Sequence, residues 1–210
     1  MAHDDFAVEP IHGLEKKLPE DERILWQGRP GTLDLAVASM GLRGVLIYFG
    51  ILATWRGLAL GLDGGAMAGL GAVLWYVLAG AAAAGVILLL ARVLARTTVY
   101  TITSARVVMR IGAALTVNLN LPYKWIASAD MAEAKNGSGS IHLTLKGDTR
   151  ISYLVLWPHV RPWHIRVPQP SLRAIPNVRD VAGILGRAAE ARVGEITHEA
   201  AQDYAPVAAE

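Results

Sequence analysis

The sequence predicts an α+β membrane protein: a two-helix transmembrane hairpin followed by a seven-stranded β-barrel capped by a C-terminal amphipathic helix. Three observations predict it. Between Gly44 and Ala91 the chain carries only two charged residues, Arg56 and Asp63. From Thr98 onward the apolar residues recur at every second position, the period of a half-buried strand. Beyond Pro168, Pro170 and Pro176 the period turns helical, with Val178, Val181, Ala182, Leu185 and Ala189 on one face.

A bilayer core of ~30 Å takes about 20 mainly apolar residues per crossing helix. The apolar stretch holds two such helices, at 42–62 and 66–91, with Asp63, Gly64 and Gly65 as the turn. A helical hairpin buried in a soluble protein would show a polar face at helical spacing, and none recurs here. Charged residues make up only 18% of the chain, below the ~25% of soluble domains. The opening MAHDDFAVEP is acidic and has no apolar core, so the first helix is expected to act as the insertion signal. Arg23, Arg29 and Arg43 precede the hairpin, Arg92 and Arg96 follow it, and its turn has neither Lys nor Arg. The positive-inside rule then places both termini in the cytoplasm.

Residues 1–41 read as a cytoplasmic N-terminal segment. It holds a short extended run, ERILWQGRP at 22–30, and an amphipathic helix at 32–42. Trp26 is expected to pack on the β-domain, which spans 97–193. Alternation predicts strands at 98–103, 106–111, 115–121, 124–134, 141–145, 151–157 and 162–167. Asn136-Gly137-Ser138-Gly139 and Lys146-Gly147-Asp148 supply turns. The three prolines read as a linker, Asn177 as the N-cap of a helix at 178–192, and residues 194–210 as an acidic flexible tail.

Several function classes drop out. The chain has no cysteine, so it has no disulfide and no thiolate chemistry. It has no phosphate-binding GxxxxGK[ST] loop, GxSxG elbow or HExxH pair, and no enzymatic activity is expected. Residues 92–193 carry fourteen basic and five acidic side chains, and residues 194–210 carry four acidic and none basic. A basic domain beside a membrane gains about 1 kcal/mol per Lys or Arg near anionic headgroups. Without a dense basic run, nucleic acid is not an expected partner.

The run ERILWQGRP (22–30), the apolar helices, and then VYTIT (99–103) with RVV (106–108) resemble bacterial pleckstrin-homology (PH) domain membrane proteins. The longer text resembles the PuhB family, the photosynthetic complex assembly proteins of purple bacteria, over nearly the whole chain. It includes LPYKWIASADM (121–131), LTLKGDTRISYLVLWPHVRPWHIR (143–166) and PQPSLRAIP (168–176). That resemblance implies a PH-like barrel and a non-catalytic role in assembling the reaction centre and its light-harvesting 1 complex. It carries no catalytic residues over. Inositol-phosphate-binding PH domains use a dense basic cluster around their first hairpin, and here that region offers only Arg106 and Arg110.

The candidate partner-binding residues are Trp157, His159, Arg161, Trp163, His164 and Arg166, six aromatic or basic side chains within ten positions. Trp and Arg are enriched at binding hot spots, and Pro158 and Pro162 lower the entropy cost of holding such a surface. The competing reading packs both tryptophans into the barrel and leaves the arginines solvated. No metal is expected, because no carboxylate lies near His159 and His164 in sequence. No cofactor is expected either. All six histidines (His3, His12, His142, His159, His164, His198) lie outside the apolar stretch, so no imidazole could hold chlorophyll within the bilayer as in an antenna protein.

In the helices, Gly57 and Gly61, and Gly80 and Ala84, stand four apart, a spacing that lets helices approach closely. They can serve the hairpin itself, partner helices or a homodimer. Arg56 is expected to snorkel or to pair with Asp63, with contact to a partner subunit as the other reading. The function expected is a membrane assembly factor that binds reaction-centre and light-harvesting 1 subunits in a bacterial cytoplasmic or intracytoplasmic membrane. The alternative is a generic membrane-tethered PH module that binds anionic lipid or scaffolds other proteins.

Overall fold

The alternating segments pair into two antiparallel sheets. The computed structural model describes residues 18–112, 116–147 and 151–203, with side chains to 195. Residues 1–17, Leu115, Asp148 and residues 204–210, each part of an expectation above, lie outside the described residues. Two compact units emerge, residues 1–30 with 96–210, and residues 31–95.

In the first unit, β1 (Ile24–Gly28), β2 (Val99–Thr103), β3 (Arg106–Ile111) and β4 (Val117–Pro122) form one sheet in that order. A second sheet holds β5 (Ile126–Glu133), β6 (Gly139–Leu145) and β7 (Ser171–Ile175). The strands number seven, but the barrel is not closed. Pro122 has no N–H to extend the ladder, and a 3-10 turn at Tyr123–Trp125 separates β4 from β5.

Two strands also differ from expectation. The segment 151–157 is not a strand but contains a short helix, α4 (Tyr153–Leu156). Leu156 is buried while Leu154 is 84% exposed, so the segment follows a helical turn rather than a pleat. The segment 162–167 is irregular, and Trp163 takes a left-handed backbone (φ 65°) that no strand allows. The missing strands come from elsewhere. β1 lies in the N-terminal segment that the expected boundary at 97 excluded. β7 lies in the supposed linker, where Pro170 and Pro176 flank five consecutive buried residues. Prolines just outside an edge strand cost no ladder bond.

The C-terminal helix α5 (Val178–Asp203) runs past its expected end, so residues 194–203 are helix rather than flexible tail. Good helix formers continue to Gln202, and an Arg192–Glu195 pair (2.8 Å) spans one turn. Its N-terminus follows Asn177, which holds a left-handed backbone and offers its carbonyl to the Asp180 N–H (3.1 Å).

The core of this unit joins Tyr100, Ile102 and Met109 to Ile141, Leu143 and Leu172, and closes with Val178, Val181 and Leu185. Each such aliphatic burial contributes roughly 1.5–3 kcal/mol. Trp26 packs against it and covers Gly28. Ahead of β1, Glu22 receives two bonds from Arg106, Nε at 2.8 Å and Nη2 at 2.6 Å, and one from the Thr103 hydroxyl at 2.6 Å. Its carboxylate is 5% exposed, so this forked ion pair is shielded from solvent.

The second unit contains α1 (Thr32–Ser39), α2 (Leu42–Gly64) and α3 (Ala66–Thr97). Gly65 (φ 82°) makes the turn between the long helices. Where they cross, a methyl on Gly69 would lie 2.7 Å from the Gly57 carbonyl oxygen and 3.0 Å from the Gly61 Cα. One on Gly80 would lie 2.9 Å from the Phe49 Cβ. Ala84 packs with Ala36, Leu42 and Ala91. The small residues therefore serve the hairpin's own packing. Arg56 and Asp63 are both exposed, and among the described residues no ion pair joins them.

Gly139 offers the sharpest test of the first unit. A methyl there would meet the Ala132 carbonyl oxygen and the Val178 side chain at 2.4 and 2.6 Å. Gly139→Ala should cost about 1–3 kcal/mol by overpacking the start of β6 against α5. Thermal unfolding followed by near-ultraviolet circular dichroism would measure it.

Candidate functional site

The surface suited to contacts has three parts: the connection between β6 and β7, a groove beside β5, and the faces of α2 and α3. The connection contains the expected hot spot, and the structure divides it. His159 is fully buried and cannot touch a partner. Arg161 is engaged with Asp130 (2.9 Å) and Gln169 (3.0 Å). His164 bonds the carbonyl of Pro162 (2.9 Å). Trp157, after which the bond to Pro158 is cis, is half exposed, Trp163 is 92% exposed, and Arg166 points to solvent. Four apolar neighbours not foreseen as contact residues join them at the surface: Leu154, Val155, Ile165 and Val167. Reading 151–157 as a strand hid the first two. The signal that could have found them is the absence of any acidic residue from Ile151 to Pro170.

His159 is a structural anchor. The Tyr100 hydroxyl accepts from the Arg173 backbone N–H (3.2 Å) and shares a hydrogen bond with His159 Nδ1 (2.6 Å). His159 Nε2 shares a second hydrogen bond with the Thr98 hydroxyl (3.1 Å), so both ring nitrogens are engaged. The Arg173 guanidinium donates to the Val160 carbonyl (3.1 Å), and His142 bonds the Ser171 hydroxyl. Burial, reinforced by Arg173, pushes His159 down to about 3. Burial, with Arg161 and Arg173, pushes His142 down to about 4. Both imidazoles are neutral at pH 7.

The groove, about 550 Å³, runs between the edge strand β5 and α5. Ala127, Ala129 and Met131 line one wall and Ala182, Leu185 and Ala189 the other. Among the described residues no strand pairs with the outer edge of β5. An extended segment could add there and place alternate side chains between strand and helix. Beyond it, Arg106 is committed to Glu22, so the first hairpin offers no free basic cluster for an inositol phosphate. Among the described residues no three His, Asp or Glu side chains gather as metal ligands.

The helices α2 and α3 are each long and apolar enough to cross a membrane. They leave Leu46, Ile51, Trp55, Leu70, Leu74 and Trp75 half or more exposed.

The bacterial PH domain family matches residues 44–189, more than two thirds of the sequence. The chain belongs to the bacterial PH domain family. A member from Rhodobacter capsulatus, described as an uncharacterized 23.7 kDa protein in the puhA 5′ region, is 44% identical over 200 residues. That alignment covers 93% of this chain and 92% of the relative. A crystal structure of a DUF1696-family protein with a pleckstrin-homology domain, from Shewanella loihica PV-4, overlaps 44% of this chain and 71% of its own. At 12% identity and a TM-score of 0.30 that overlap carries no argument. The family match begins within α2, so β1 lies ahead of it and completes this PH unit from outside the matched residues.

The two histidines predict a pH dependence. Once unfolded they protonate near 6.5, whereas folded they stay neutral to about 4 and 3. Their stabilising contribution is full above pH 6.5 and is lost as pH falls, by about 1.4 kcal/mol per pH unit for each. Lowering the pH from 7 to 5 should reduce the melting temperature of the PH unit. His159→Gln should flatten that dependence in the same measurement.

Proposed function

We propose that the protein is a non-catalytic membrane assembly factor for the photosynthetic reaction centre and its light-harvesting 1 complex. In this reading α2 and α3 cross the bacterial cytoplasmic or intracytoplasmic membrane, with both termini in the cytoplasm. The observation that carries it is the exposed apolar surface of these two helices. Soluble monomers rarely expose contiguous apolar patches beyond a few hundred Å². Lipid and partner helices are the surroundings in which such surface costs nothing.

Gly57, Gly61 and Gly80 are occupied within the hairpin, which leaves its outer faces for nascent subunit helices. The groove between β5 and α5 would take an extended cytoplasmic segment of the same subunit. Binding of this kind needs no covalent step and reverses when the mature complex supplies better partners. The photosynthetic assignment rests on the resemblance of LPYKWIASADM, LTLKGDTRISYLVLWPHVRPWHIR and PQPSLRAIP to photosynthetic complex assembly proteins. The position of the 44%-identical relative in the puhA 5′ region supports it.

Affinity purification of the tagged protein from photosynthetically induced membranes, with mass spectrometry and a pigment spectrum, tests this. Reaction-centre or light-harvesting 1 subunits are expected in sub-stoichiometric, immature complexes. Substituting Ala129 and Ala182 by Arg, which fills the groove with charge, should reduce that recovery severalfold while the protein still fractionates with membranes. Recovery with lipid alone would favour a generic membrane-tethered PH module.

A further inference from the structure

We propose that the connection at 154–167 is an interfacial anchor, with Trp163 and its apolar neighbours bedded in the headgroup layer of the membrane. The proposal rests on the reading that α2 and α3 cross that membrane.

Its first ground is exposure. Leu154, Trp163, Ile165 and Val167 are each more than 60% exposed, and Val155 and Trp157 are about half exposed. All six belong to one connection. Trp163 pays twice in water, since it exposes an indole and holds a left-handed backbone that a bulky residue disfavours.

The second ground is where the connection is rooted. His159 bonds the Thr98 hydroxyl at 3.1 Å, and Thr98 directly follows Thr97, the last residue of α3. The base of the connection is therefore fixed at the point where the chain leaves its second apolar helix. Trp163 lies four residues beyond His159, so a fully extended chain could carry it no more than about 14 Å from that root. Arg92 and Arg96 stand in the last two turns of α3, where a crossing helix meets the headgroups. The polar and interfacial layer on each side of a bilayer is about 5–8 Å thick. The apolar tip is thus held within reach of it by covalent and hydrogen-bonded structure.

The third ground is chemistry. Trp prefers the headgroup boundary because its ring is apolar and its N–H is polar. Arg166 is exposed beside the apolar tip, and residues 151–170 contain no Asp or Glu. Asp130, which contacts this connection, is taken up by Arg161. That charge pattern complements an anionic leaflet. An apolar surface with Arg166 beside it fits a bilayer interface.

The absence of cysteine allows a direct test. Ile165→Cys and, separately, Leu58→Cys would carry a nitroxide in the full chain, reconstituted in phosphatidylcholine–phosphatidylglycerol vesicles. Collision with oxygen and with a water-soluble nickel chelate reports depth. The expected result places the Leu58 label in the hydrocarbon and the Ile165 label at the interface. Adding Trp163→Gly, which suits the left-handed backbone and removes the indole, should raise nickel access at Ile165 severalfold. A water-exposed Ile165 label with the Leu58 label in lipid overturns the anchor and leaves the membrane reading standing. Both labels in water overturn both. An Ile165 label shielded from oxygen and nickel alike would mean that protein covers the connection, which also overturns the anchor.

Discussion

The pairing of β1 with β2 is the constraint on which the rest depends. Gln27 and Thr101 face each other across that pair and share a hydrogen bond of 3.0 Å, although 74 residues separate them. Nearly everything between them belongs to the helical unit. Closing so long a loop costs entropy, but the cost grows only slowly with length. The antiparallel course of α2 and α3 returns the chain to its starting end. Glu22 then fastens the strand, because its shielded carboxylate holds Arg106 and Thr103 together across the turn between β2 and β3. The PH unit is therefore completed only after the helices have been made.

That arrangement explains what the sequence made legible. The helices stood out because a run almost free of charge has few explanations, and their starts held while their ends moved, from 62 to 64 in α2 and from 91 to 97 in α3. The strands at Val99, Arg106, Val117 and Gly139 were legible because apolar residues recur at every second position along them. Ser171 to Ile175 was not, because Pro168, Pro170 and Pro176 around it made the stretch read as a linker. β1 was legible as an extended run whose Trp26 packs on the β-domain, but the long insertion hid its place in the sheet. Residues 151–157 misled for a different reason. Ile151, Tyr153, Val155 and Trp157 alternate in apolar character, yet the segment contains a helical turn. Over so few residues the two periods cannot be separated.

The candidate surface was legible only in part. Crowding of Trp, His and Arg marked a connection that is partly exposed, but composition could not tell a buried histidine from a surface one. His159 is there to bond Thr98 and Tyr100 and to hold up the connection that carries Trp163. The groove beside β5 gave no signal, because alanine, serine and glycine read as filler in a linear sequence. Together they leave room between a strand and a helix, and that room is a property of two elements fifty residues apart.

The composition of β5 has one further consequence. An unpaired sheet edge invites copies of the same chain to join it, and long apolar edges do so irreversibly. β5 reads IASADMAE, with neither valine nor aromatic residue and with two acids. Such a strand is a poor template for itself, since its β-preference is weak. It can still offer its main chain to a guest with stronger side chains. An assembly factor of the proposed kind would need this asymmetry: an edge open to others, closed to its own kind, and weak enough to let go.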